Sequence, residues 1–441
     1  MHALLKTTVE EPIQINRVLC LTEQINPVLS NECRRRLRYM HMHSFDWKQG
    51  GLLSPVKFID RDSVEYALLM AANHDQNEER MASMTLDNAM SLLDPIWGGV
   101  YQYSTQGKWD VPHYRKTMAA QAGHLRLYAL AYAQLKHDCY LAVTQSIRSY
   151  IEQFLCGNEG AFYCGQSDNI PGINSRLFFS LREKERKLIG MPDIDKRIST
   201  RENGWAIEAL LTAYEYCGDQ GGLLMALKAG KWINKHCSTH NGGWLPNRMS
   251  DQSMQLADNL AMARAMLQLY RVTFKNIYLA SACHTADYIN RNFKHEICGY
   301  NSLQTNLSKQ PVPRQIDENI ALTRFANLLH HYTNEEKYKK MAQHGFRYLC
   351  IPEIATSRME EAGILLIDHE LQTPPLTFNI EGKTCDPILN PFLQIAYRHP
   401  GWYKLIKFNA SDKESVSIEI EGIRSRPVQT TERLKDLLHN H

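Results

Sequence analysis

These 441 residues contain no Cys-x-x-Cys pair, no run of eighteen apolar residues and no large excess of charge of either sign. Each absence removes a class of protein. Without a long apolar run, no segment reads as a membrane-spanning helix. A net charge of +3 on a chain this long supplies no field that would draw nucleic acid or an acidic membrane. The one basic cluster, Arg34, Arg35, Arg36 and Arg38, has no Gly-rich or aromatic stretch beside it and reads as a solvated helix face. The eleven cysteines are odd in number and scattered from Cys20 to Cys385, which fits reduced, mostly buried thiols better than a disulfide framework. Cys156 and Cys164, the closest pair, flank a Gly turn and read as structural. The opening MHALLKTTVEEPIQ has no apolar core behind a basic start, so a cytoplasmic protein is expected. His236, Cys237 and His240 stand close enough to share a metal, but no second ligand cluster backs them. They read as a helix end, and neither metal nor cofactor is expected.

What is present is a helical protein. Hydrophobic residues make up 44% and charged residues 22%, enough apolar material for a large core. Residues 1–25 lack a clear period and read as an arm. From about Asn26 to 372, apolar residues recur at helical spacing in segment after segment. The plainest case is the stripe Leu256, Leu260, Ala263, Leu267 and Tyr270. Between the helices stand Gly50-Gly51, Gly98-Gly99, Gly160-Ala161, Gly242-Gly243 and Gly299-Tyr300, each followed by apolar or aromatic residues and about one helix pair apart. That is the punctuation of stacked helical hairpins with similar loops gathered on one face. An open solenoid would also show it. About twelve helices favour the closed form, an (α/α)6 toroid, because closure hides the terminal faces a solenoid must cap. Residues 165–200 are irregular and charged, the place for an ordered loop or lid. From 373 to 441 the pattern changes to short strands, clearest in SVSIEIEG, with a closing helix from Thr431. This is read as a small α/β appendage packed on the toroid.

The densest run of Gly, aromatic and ionisable groups is WGGVYQYSTQGKWDVPHYRK, Trp97 to Lys116. Pro112 suits the first turn of a helix running to Lys136, which would hold His113 at its start. Such a loop can line a pocket, or it can simply cap the core with its aromatics.

Several motifs resemble the YyaL/spermatogenesis-associated protein 20 family, in which a thioredoxin-like domain precedes a six-hairpin toroid. GGLLSPVKF (Gly50 to Phe58) is similar to its Gly-Gly-x-x-x-x-x-Lys-Phe. The Trp97–Lys116 run matches at Gly98, Gly99, Tyr103, Ser104, Trp109, Pro112, His113 and Lys116. EGAFY matches directly, and DKRISTRENG keeps Thr200, Asn203 and Gly204. PLTFNIEG, WYKLIKF, SVSIEIEG and RPVQTTERLKDLL resemble the closing strands and helix, so the likeness runs over about residues 30 to 440. Departures cluster at carboxylates. Arg115 stands where the family usually has Glu, Ala119 and Ala120 where it has Tyr-Asp, and Ser167, Asp168 and Asn169 where it has Asp-Ala-Asp. The family's thioredoxin-like domain has no counterpart in this sequence, so the expectation is the toroid and its appendage, with a thioredoxin-like protein as a candidate partner in trans.

The resemblance implies a toroid like those of N-acylglucosamine 2-epimerases and aldose–ketose isomerases, and two readings follow. In the first the protein is a sugar isomerase or epimerase. His113 then serves as general base or acid with Glu159 or Glu202, and Asp317 is the second choice of acid. Trp97, Tyr103, Trp109, Trp205 and Trp244 stack on sugar rings. Arg201 and Arg248 hold a phosphate or carboxylate, and Asn203 binds substrate. The ligand expected is a small sugar or sugar phosphate. In the second reading the toroid has lost its chemistry and serves as a binding subunit. His113 then satisfies backbone groups and the tryptophans fill the core. His124 and His284 are placed facing inward. Asp258-Asn259 and Asp317-Glu318-Asn319 open inner helices, where such residues commonly cap. A deep cleft lined by acidic groups or histidine favours the enzyme, and a plugged bore the subunit.

Overall fold

The computed structural model describes residues 27–250, 255–304 and 312–439, so the arm expected over 1–25 lies outside the described residues. In chain order the main helices are α1 (Asn31–His43), α2 (Arg61–Ala72), α3 (Gln76–Ala89), α4 (Met118–Leu135) and α5 (Asp138–Tyr150), followed by the short α6 (Ser175–Ser180) and α7 (Glu183–Ile189). Then come α8 (Thr200–Cys217), α9 (Gln220–Cys237), α10 (Leu256–Thr273), α11 (Asn276–Asn292), α12 (Ile316–Thr333) and α13 (Glu336–Leu349). The chain ends with α14 (Pro352–Ala355), α15 (Ala362–Gln372), α16 (Pro391–Arg398) and α17 (Thr431–His439).

Helices α2, α4, α8, α10, α12 and α15 form an inner ring in that order, and α15 packs back on α2 to close it. Helices α3, α5, α9, α11 and α13 each lie outside the inner helix that precedes them, and α1 supplies the outer member for α15. The toroid is therefore closed by its first helix. Inner helices are buried almost all round, as in α10, where Leu256, Met262, Leu269 and Ala263 are all inaccessible. Outer helices bury one stripe only, as α13 does with Tyr338, Met341, Phe346 and Leu349.

Two local devices repeat around the ring. Each turn from an inner to an outer helix passes through one left-handed residue: His74, Lys136, Gly218, Phe274 or Asn334, with φ between 55 and 76°. Only one of these is glycine. The turn is held because the N–H of this residue reaches back to a carbonyl of the inner helix, as from Lys136 to Tyr132 at 3.0 Å and Phe274 to Tyr270 at 2.7 Å. The second device follows the outer helices. At Gly98-Gly99 both residues have φ above 70°, and a Cβ on Gly99 would stand 2.5 Å from the Tyr150 ring, so only glycine fits. The residue just beyond the glycine is then clamped by a side-chain amide from the next inner helix. Gln121 exchanges hydrogen bonds with both backbone groups of Val100 (2.8 and 2.7 Å), Asn203 with those of Phe162 (2.8 and 3.0 Å) and Asn319 with those of Tyr300 (2.7 and 3.0 Å). Asn259 accepts from the Trp244 N–H at 2.9 Å.

The helix expected to start at Pro112 begins at Met118. Tyr103–Ser104 (β1) pairs with Pro112–His113 (β2), and Lys116–Thr117 (β3) pairs with Gly165–Gln166 (β4), which also pairs with Ile194–Asp195 (β5). These pairings and the Thr117 cap, whose hydroxyl accepts from Ala120 N–H, fix the later start. The excursion from β4 to β5 is ordered and anchored. Arg186 on α7 is wholly buried, with Nη1 2.8 Å from the Asp94 carboxylate and its guanidinium 4.9 Å over the Trp97 ring. Lys116 shares that carboxylate at 2.8 Å.

At the C-terminal end, Leu376–Gly382 (β6), Lys404–Ala410 (β7), Ser415–Ile420 (β8) and Ile423–Arg424 (β9) form one sheet in the order β7-β6-β8-β9, with β6 and β7 parallel and α16 as their crossover. The sheet sits against the C-terminal ends of inner helices. The Tyr397 hydroxyl donates to the Arg271 carbonyl at 3.2 Å and that of Tyr403 to the Glu370 carbonyl at 2.6 Å.

Candidate functional site

The inner helices of a toroid surround a bore, and its polar contents decide what the protein can do. Midway along, six charged side chains, one from every inner helix, join in an unbroken chain of ion pairs. Glu370 (α15) meets Arg324 (α12) at 2.8 Å, Arg324 meets Glu65 (α2) at 3.0 Å and Glu65 meets Arg126 (α4) at 2.9 Å. Arg126 reaches Glu208 (α8) at 3.7 Å, and Glu208 pairs with Arg264 (α10) at 2.7 Å. Three carboxylates balance three guanidiniums. Burial alone would raise the pKa of Glu65, but the charges of Arg126 and Arg324 override it and bring it to about 2. The belt crosses the bore midway along the inner helices.

Toward the N-terminal ends of α4, α8 and α10 opens a cleft of about 890 Å³. His124 on α4 stands in its wall, 5% exposed. Its Nδ1 lies 2.9 Å from the Ala120 carbonyl, so this nitrogen carries the proton, and Nε2 is an acceptor that is buried without a hydrogen-bond partner. Burial pushes the imidazole down to about 4, so it is neutral at physiological pH. Asp258 on α10, also in the wall, is pushed up to about 6 by burial, with the Arg201 charge opposing and Glu202 adding to the rise. Glu318 on α12 is raised to about 7 by burial, its Oε2 accepting from the Ser302 hydroxyl at 2.6 Å.

Glu202, Asp258 and Glu318 are equivalent positions. Each immediately precedes a clamp asparagine, Asn203, Asn259 or Asn319, on successive inner helices. The clamp turns its own side chain outward to the Gly loop and leaves its predecessor at the mouth of the bore. On α4 the same position, before Gln121, is Ala120.

The other expected site residues divide. Glu202, Arg201, Arg248 and Trp205 line the cleft. Glu159 stands half-exposed, 3.9 Å from Arg248. His113 is not in the cleft wall. It lies on β2, stacked on Tyr103 with ring centroids 4.9 Å apart, its Nε2 3.8 Å from the Asp168 carboxylate. Strand pairing, in place of the expected helix start, puts it there. Asp317 is held by Arg358 at 2.6 Å, and its neighbour Glu318 is the perturbed acid. Asn203 is spent on the Phe162 backbone. Three tryptophans are core: Trp97 lies under Arg186, Trp109 Nε1 donates to the Gln49 carbonyl at 2.8 Å, and Trp244 Nε1 donates to the Thr285 hydroxyl at 2.8 Å. Arg61, Arg115, His124, Lys196 and Asp258 are among the cleft residues that sequence reasoning did not assign to a site. Asp258 was readable from the acid-before-Asn repeat. His236 turns to the Trp232 carbonyl at 2.8 Å, and among the described residues no cluster of His, Cys, Asp or Glu has a metal-binding arrangement. No described helix is long and apolar enough to cross a membrane.

A closed double ring of helical hairpins with a cleft at the inner N-termini defines the class: a six-hairpin toroid of the (α/α)6 type. Cellobiose 2-epimerase from Spirochaeta thermophila superposes with a TM-score of 0.59 at 10% identity, covering 81% of this chain and 97% of that one. A D-mannose isomerase superposes at 0.55 with 14% identity, covering 72% and 85%. At such identities the likeness is one of fold. In sequence the chain is a partial homologue of human spermatogenesis-associated protein 20, 24% identical over 150 residues, and of an uncharacterised Caenorhabditis elegans protein, 27% identical over 179 residues. These alignments take in 32% and 37% of this chain but only 19% and 24% of the relatives' lengths. No protein-family model matches the chain.

Proposed function

We propose that the cleft binds a sugar in its open-chain form and moves a proton at the carbon beside the carbonyl, the step shared by aldose–ketose isomerisation and 2-epimerisation. The observation that carries this is His124: a neutral imidazole in the cleft wall with its Nε2 lone pair unpartnered. Asp258, at about 6, is ionised at neutral pH yet basic enough to accept a carbon-bound proton. In this reading Asp258 takes the proton from C2 while water in the cleft protonates the carbonyl oxygen, and an enediol forms. Asp258, its proton exchanged with solvent, then delivers a proton to C1 while the O2 hydroxyl proton leaves to water, which completes isomerisation; for epimerisation water protonates the other face of C2 while the O1 proton leaves. His124 accepts the hydrogen bond of a sugar hydroxyl and fixes the carbonyl edge of the substrate. The fold-level likeness to a cellobiose 2-epimerase and a D-mannose isomerase supports the substrate class. One observation favours the other reading, a toroid that binds without turnover: Ala120 stands where the neighbouring helices carry Glu202, Asp258 and Glu318.

Incubation with aldoses, ketoses and their phosphates in D2O, followed by NMR, separates the two. Turnover incorporates deuterium at C1 of a ketose product or at C2 of an aldose product, and Asp258→Asn lowers the rate about a hundredfold. No incorporation from any sugar, or a rate unchanged in both Asp258→Asn and His124→Ala, overturns the proposal.

A further inference from the structure

Resting on the reading that the cleft takes a sugar, we infer that this sugar is an anion, its phosphate or carboxylate held by Arg201 with Arg61, Arg115 and Lys196 around it. The cleft wall carries six cationic side chains against three carboxylates. Three of the six are engaged: Arg197 lies 2.6 Å from Asp195, Arg201 lies 3.3 Å from Glu202, and Arg248 faces Glu159 at 3.9 Å. Arg61, Arg115 and Lys196 make no ion pair among the described residues, although they come from α2, the β2–β3 link and the β5–α8 link. Three separate elements thus direct positive charge at one space, in excess of the carboxylates that line it.

Arg201 is the anchor. Its Nη2 lies 3.3 Å from Glu202 Oε1, while its Nε is buried with no hydrogen-bond partner. A buried guanidinium N–H is normally bonded, and the donors of this group are matched to the paired oxygens of a phosphate or carboxylate. The guanidinium stands 5.2 Å over the Trp205 ring, and Arg61 lies 5.8 Å over the same ring. One indole therefore carries two cation–π contacts. Helices α8 and α10 open here through Ser199 and Gln255, neither of which caps its helix with its side chain, so the first-turn N–H groups add to the positive potential.

Titration calorimetry on the full chain tests this, with glucose, mannose, their 6-phosphates, glucuronate and inorganic phosphate at one ionic strength. A sugar phosphate is expected to bind at least about tenfold more tightly than its parent sugar if the anion is a phosphate, and glucuronate more tightly than glucose if it is a carboxylate. That advantage falls to below about threefold in Arg201→Gln, and in Arg115→Gln should the first variant fold poorly. Neutral sugars binding as tightly as every anionic one overturns the inference and leaves the sugar reading standing. Inorganic phosphate binding as tightly as the sugar phosphates shows that the ring contributes nothing and overturns both. Binding by none of the probes overturns both as well.

Discussion

Glu65 and Arg324 meet at 3.0 Å although 259 residues separate them in the chain, and the two helices that carry them are not neighbours in the inner ring. The pair spans α15 and ties α2 directly to α12. Replacing Glu65 by Gln leaves Arg126 and Arg324 facing each other without their shared carboxylate. A loss of about 3 kcal/mol in unfolding free energy is expected, measured by urea denaturation. A value within 0.5 kcal/mol of wild type, roughly that of a neutral surface change, would show that the belt is solvated.

The same carboxylate sets acid sensitivity. Its folded pKa, about 2, lies below the ordinary value of 4.5, so its contribution is present above about pH 4.5 and is lost as pH falls toward 2. Melting temperature followed from pH 5 to pH 2.5 should drop steeply in the wild type and less steeply in Glu65→Gln.

His41 sets the opposite limit. It is buried on α1 with Nε2 3.0 Å from Glu78 and Nδ1 3.2 Å from Glu360. Burial lowers its pKa, but hydrogen bonds to Glu360 and Glu78 outweigh that and raise it from 6.5 to about 9. The stabilisation is complete below about pH 6.5 and disappears as pH rises through about 9, an effect of order 3 kcal/mol. His41→Ala should melt earlier at neutral pH and lose the decline between pH 7 and pH 10.

Asn203→Ala removes the clamp on Phe162 and strands two backbone groups in the core, at roughly 2–4 kcal/mol. Ligand affinity, measured at a temperature where the variant is folded, should match wild type. A loss of affinity larger than about threefold would return Asn203 to the binding machinery.

Arg186→Met frees α6 and α7 from their tie to Asp94. Proteases should cut between 165 and 195 much faster than in the wild type, while Lys116 keeps Asp94 paired. Unchanged cleavage would mean that the aromatic contacts of Phe178 and Phe179 hold the segment alone.

If Asp258 is the base, kcat/KM rises with pH through about 6, because only its ionised form accepts a proton. Asp258→Asn should abolish that limb; a limb that persists assigns it to another group.

The fold was legible because its signals are local. The apolar stripe from Leu256 to Tyr270 and the Gly pairs each report on their own hairpin, and the repeat of both counts the ring. The site was legible in part. Arg201, Glu202 and Trp205 fall in the cleft, since the first turn of an inner helix must open there. His113 went elsewhere because two-residue strand pairings, with no sequence period of their own, displace the helix start from Pro112 to Met118. Trp109 and Trp244 sank into the core because each indole N–H finds a partner there, a satisfaction that spacing does not reveal. The charged belt stayed hidden for a related reason. Glu65, Arg126, Glu208, Arg264, Arg324 and Glu370 are isolated polar residues in their own helices and become a network only when the ring closes.

That closure gives the molecule a further property. Arg34 on α1 pairs with Asp368 on α15 at 2.5 Å across 334 residues, so the first outer helix among the described residues waits for the inner helix that completes the ring. Forming that contact within one chain is a loop closure, whereas the same contact between two chains depends on concentration. A toroid fastened in this way is expected to exchange α1 between chains on refolding from concentrated solution, giving a swapped dimer that size-exclusion chromatography separates from the monomer; a monomer alone at every concentration would count against it.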